Sequence, residues 1–214
     1  MTCGQVEDFF CQLIKALSWD LPRPRLVLDT TFTAWGGEAS APGDKHHAEA
    51  LIRLSAGYLY RSPRALADLL LHELAHAALQ LCRADASHAG QFCLLFAVFL
   101  ARGSAADALK GNRPDLLPFC LGLYDAHESK IPAGAVLEWA QRTAPLAPAG
   151  APVSELVEWA GAEIKQFWEA WSQRQAVRQH QQRRESHKLA AMASLSALVV
   201  LATLVASAVS FVLS

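Results

Sequence analysis

No CxxC pair occurs anywhere in this sequence, and its five cysteines, Cys3, Cys11, Cys82, Cys93 and Cys120, are scattered and odd in number. That excludes a cysteine-based zinc ribbon and a disulfide framework. Cys82 and Cys93 stand in apolar helical context, where a free cysteine behaves as a small hydrophobe; a reducing compartment is expected. Charge is scarce as well: Asp, Glu, Lys and Arg make up 18% of the chain, the formal net charge is -1, and no Lys/Arg cluster appears in the first two-thirds. Strong binding to a nucleic-acid backbone needs such a cluster, so nucleic acid is not an expected partner. The opening MTCGQVEDFFCQLIK carries acids where a secretory leader has a basic region before an apolar run, and no secretory signal is expected.

The last absence is the longest. From Leu189 to Ser214 there is no charged residue. A run of that length suffices for a hydrocarbon core of about 30 Å, which takes about 20 apolar residues. The expectation is a single-pass transmembrane helix serving as a C-terminal tail anchor. Arg174, Arg178, Arg183, Arg184 and Lys188 precede it, and the positive-inside bias then puts the rest of the chain on the cytoplasmic side.

What is present reads as a helix-rich α+β chain. Val6, Phe9, Phe10, Leu13, Ile14 and Leu17 recur at helical spacing, predicting an amphipathic opening helix over Gln5–Leu17. RLVLDTTF (Arg25–Phe32) and AEALIRLS (Ala48–Ser55) alternate and are rich in β-branched residues, as strands are. A turn-rich stretch between them leaves room for a short strand at Gly37–Ser40. Ser62 and Pro63 supply an N-cap and a first-turn proline for a helix reaching Cys82. A second helix is expected from near Ser87 to Arg102, and further ones at Asp115–His127 and Ala133–Gln141. Residues 1–142 form the predicted domain, 143–152 a Pro/Ala linker, 153–188 an amphipathic and increasingly basic helix, and 189–214 the anchor.

Within the long helix after Pro63 lies HELAH. His72 and His76, at i and i+4, share a helical face about 5–6 Å apart, which suits two imidazoles converging on one zinc ion. Glu73 is rotated by about 100° from His72. It misses the metal but can reach a water there and act as general base. A catalytic zinc takes a third protein ligand. Of His46, His47, His88, His127, His180 and His187, His88 is the best placed, because RADAS lets the chain turn back after the motif helix. Asp68, one turn before His72, Tyr58 and Tyr60 are weaker neighbours, and the Trp159, Trp168, Trp171 stripe reads as a packing face.

HELAHAALQLCRADASHAGQF resembles the SprT-like metallopeptidases, whose pattern is HExxH, a turn, then a histidine followed four residues later by an aromatic; His88 and Phe92 keep that spacing. The resemblance extends over roughly Pro24 to Leu100. It implies a zincin-like domain in which a short early sheet packs on the HExxH helix, zinc on His72, His76 and His88, and Glu73 as catalytic base. The sequence departs from that family at Ala89, where glycine is usual, in lacking a cysteine-rich ribbon, and in its apolar C-terminal segment. These departures argue against the DNA-repair role of Spartan-type members.

The expected function is therefore a membrane-anchored zinc metalloendopeptidase acting on extended protein or peptide segments, with the strand ending near Leu54 pairing to the substrate backbone. Two alternatives stand beside it. One is a non-catalytic, zinc-stabilised membrane adaptor; the other is a gluzincin-type membrane protease with a downstream acid such as Glu128 as third ligand.

Overall fold

Ser62 and Pro63 begin the central helix, α2 (Pro63–Leu81), as their chemistry dictates. The Ser62 hydroxyl accepts from the Ala65 N–H, and Pro63 occupies the first turn, where no N–H is needed. Leu66, Leu69, Leu70, Leu71, Leu74 and Leu79 are all buried. Buried leucines point in several directions around the helix, so α2 lies inside the core. This computed structural model describes residues 1–32, 36–43, 49–88, 90–103 and 131–212, with side chains described to residue 198.

Before α2 come a helix and a small sheet. Helix α1 (Cys3–Ala16) starts two residues earlier than its periodicity suggests, because Thr2 and Gln5 form a reciprocal capping box; it buries Val6, Phe9, Phe10 and Leu13. Strand β1 (Arg25–Asp29) stops where the Asp29 carboxylate accepts from the Thr31 N–H at 2.7 Å and closes a turn. Strands β2 (Gly37–Ser40) and β3 (Leu51–Ser55) complete a sheet of order β1-β3-β2, with β1 parallel and β2 antiparallel to β3. Ser55 then accepts from the Gly57 N–H and starts a 3-10 helix, Ala56–Tyr60.

After α2, helix α3 (Gly90–Gly103) buries Phe92, Phe96 and Phe99. Helix α4 (Ala133–Thr143) follows, and then α5 (Val153–Val212). Two compact units emerge, Met1–Phe167 and Trp168–Ser214. In the first, Val153, Leu156, Val157, Ala160, Ile164 and Phe167 of α5 are buried, and Trp139 stacks on Phe167 at 4.7 Å. The Pro/Ala stretch is fastened by Arg102, whose guanidinium donates to the carbonyls of Ala151 at 2.6 Å and Pro148 at 2.8 Å. In the second unit the Arg174 guanidinium lies over the Trp171 ring, and Leu189, Met192, Leu195 and Leu198 are exposed.

This architecture corrects three expectations. The fold is not the expected α+β zincin-like domain ending in a transmembrane helix. It is mostly helical with one small three-stranded sheet whose strands are only four or five residues long. Second, among the described residues no helix is long and apolar enough to cross a membrane. The uncharged run from Leu189 is rich in Ala and Ser and directly follows Arg183, Arg184, Glu185 and Lys188. The described helices therefore contradict the expected single-pass anchor and the membrane localisation that rests on it. Third, β3 cannot receive a substrate strand near Leu54, since Leu51–Ser55 is already paired on both sides; β1 and β2 hold the edges. The helix expected at Asp115–His127 lies outside the described residues.

Candidate metal centre

Helix geometry puts His72 and His76 one turn apart on α2, and the chain reversal after Leu81 supplies the third imidazole. Arg83 takes a left-handed φ of 57°, and the Ala84 N–H bonds back to the Leu79 carbonyl at 2.8 Å. Asp85 then accepts from the Ser87 N–H at 2.9 Å, tightening the turn that returns His88 to α2.

The three rings meet through the same nitrogen. Nε2 of His76 lies 3.1 Å from Nε2 of His72 and 3.1 Å from Nε2 of His88, and the remaining pair is 3.3 Å apart. Three nitrogens on one tetrahedral ion at about 2.0–2.1 Å stand about 3.3–3.4 Å from one another. The observed triangle fits that face, and a three-ligand face leaves a fourth position open. His72, His76 and His88 thus form a group that could hold a metal ion.

Their protonation suits the same role. His76 Nδ1 is 2.7 Å from the Ala86 carbonyl; a carbonyl only accepts, so Nδ1 carries the proton and Nε2 presents a lone pair. Burial, and then the proximity of His76 and His88, drives the His72 pKa down to about 2. Burial and His88 lower His76 to about 4, against the pull of Ala86. Both imidazoles are neutral at pH 7, the form that binds metal. Phe92 and Phe96 wall the site on the α3 side.

Glu73, the next residue after His72, is 3% exposed. Its burial pushes the carboxyl up to about 8, opposed by a hydrogen bond from the Ala39 N–H. Strand β2 lies directly against it: a Cβ placed on Gly37 would stand 2.6 Å from Glu73 Oε1. The Gln80 amide donates to the Ala39 carbonyl at 3.3 Å, so two α2 side chains hold the same residue of β2. Sequence reasoning passed over Gly37 and Ala39. A signal was present, since glycine inside a strand marks a place of close backbone approach.

The other candidates are dispersed. Asp68 is half-buried; desolvation raises its carboxyl pKa and Arg64 opposes the shift. Tyr58 packs on Gly36, and Tyr60 is 92% exposed. His180 and His187 are exposed in the second unit, and of the tryptophan stripe Trp168 is exposed while Trp159 and Trp171 are partly buried. His46, His47, Ala89, His127 and Glu128 lie outside the described residues. Compared with known proteins, the chain matches no family, no curated protein and no solved structure.

Proposed function

We propose that this protein is a zinc-dependent peptidase of the SprT-like kind, with His72, His76 and His88 as zinc ligands and Glu73 as general base. The observation that carries the reading is the convergence of three Nε2 atoms within 3.3 Å, with a buried carboxylate on the residue after His72. An all-imidazole donor set suits zinc among the available divalent ions. Zinc held there supplies Lewis-acid chemistry, lowering the pKa of a water and polarising the scissile carbonyl.

The chain's own residues account for the rest. The Ala86 carbonyl fixes the His76 tautomer and so the direction of its lone pair. Phe92 and Phe96 keep water from the α3 side of the imidazoles, which strengthens electrostatic interactions in the site. Glu73, once ionised by a nearby cation, takes a proton as water attacks the peptide carbonyl and returns it to the leaving amine. The substrate class is a polypeptide, and an unfolded one exposes its peptide bonds to the site.

The test is zinc stoichiometry and cleavage of a denatured protein by the full-length chain. The reading predicts one zinc per chain and cleavage abolished by chelation and restored by zinc. Bound zinc with no cleavage across varied unfolded substrates would point instead to a metal that only stabilises the fold.

A further inference from the structure

The edge strand β2 is pinned on both sides of Gly37. On one side, the Ser55 N–H bonds the Gly36 carbonyl at 2.9 Å. Hydrogen-bonded pairs alternate along an antiparallel ladder, so Gly37 and Ala39 turn their peptide groups away from β3. On the other side, α2 occupies the Ala39 groups: its N–H is bonded to Glu73 and its carbonyl to Gln80. Gly36 has φ +86°, a region glycine enters freely, and a Cβ there would lie 2.5–2.8 Å from atoms of the Tyr58 ring.

Between those fixed points sits the contact with Glu73. A Cβ on Gly37 would meet Glu73 Oε1 at 2.6 Å and its Cδ and Cγ at 3.0 Å. With the strand held at Gly36 and Ala39, the carboxylate is the part that must move. We propose that Gly37 is a positioning residue for Glu73, its missing Cβ allowing the carboxylate to seat against β2 with the Ala39 N–H on it. The catalytic meaning of this seat rests on the peptidase reading above; the packing relationship does not.

The experiment uses the full-length chain and two cycles of variants. In the first, thermal unfolding is compared for wild type, Gly37→Ala, Glu73→Ala and the double variant. Gly37→Ala is expected to lower the midpoint, and most of that loss should vanish in the Glu73→Ala background, where the space has been vacated. An equal loss in both backgrounds would overturn the proposal. Should Gly37→Ala fail to fold, the double variant is expected to fold, and its failure would overturn the proposal equally.

The second cycle reads zinc content and kinetics. Gly37→Ala should keep zinc and KM near wild type while kcat falls, by about 10²-fold if the carboxylate is displaced by about 1 Å. In the Glu73→Gln background the same substitution should change kcat no further. An unchanged kcat in Gly37→Ala, or additive losses, would remove the positioning role. Hydrolysis by Glu73→Gln at the wild-type rate would instead strike the peptidase reading, and the unfolding cycle would still decide the packing claim.

Discussion

Phe92 lies face to face with His76, ring centroids 4.3 Å apart and planes at 25°, while meeting His72 edge-on at 4.9 Å and His88 at 5.0 Å. One side chain of α3 therefore touches all three imidazoles. Phe96 stacks behind it at 5.7 Å. The ring is 1% exposed, so Phe92→Ala should cost about 3–5 kcal/mol of stability. Chemical unfolding of the metal-free protein checks this. Loosened imidazoles should also bind zinc more weakly, which a competition titration would show.

His88 is the imidazole that the turn after α2 brings in, and it is less buried than His72. His88→Ala should leave the fold intact while zinc affinity falls steeply, because two ligands remain where a catalytic site has three. Metal analysis after dialysis is the check. Full zinc occupancy in His88→Ala would remove His88 from the site.

The metal-free protein should show two opposed pH effects. His72 and His76 have folded pKa values below the ordinary 6.5, so the unfolded chain binds their protons first and stability falls as pH drops below about 6.5. Glu73 has a folded pKa raised from 4.5 to about 8, so the folded chain holds that proton more tightly. Its contribution is complete below 4.5 and is lost as pH rises to about 8. Relative to wild type, metal-free Glu73→Gln should therefore gain stability as pH rises over that range. Urea unfolding at several pH values reads the difference; a pH-independent difference would mean that Glu73 does not titrate as its burial dictates.

How much of this was legible in the sequence varies with the range of the interaction. His72, Glu73 and His76 are local, since a helix fixes the i, i+4 relationship and Ser62 and Pro63 announce the helix. His88 was legible through the short turn that returns it. Strand register is not local: which strand holds the edge depends on β1 pairing with β3 across an intervening strand, and the alternation of Leu51–Ser55 does not encode that. Gly37 and Glu73 are far apart in sequence, and their contact follows from the placement of β2 on α2. The length of the uncharged C-terminal run and its basic flank predict a membrane helix, whereas among the described residues no helix is long and apolar enough to cross a membrane.

Glu73 is proposed to move the proton at a metal held by three histidines. Glu73→Gln keeps the size and nearly all the packing of the side chain but removes the base. The decisive measurement is the rate of cleavage of a denatured protein by full-length wild type and Glu73→Gln at equal, verified zinc content. Zinc is expected in both, with hydrolysis lower by about two to four powers of ten in the variant, the range expected for lost acid–base catalysis. Equal rates at equal zinc loading would contradict that role for Glu73.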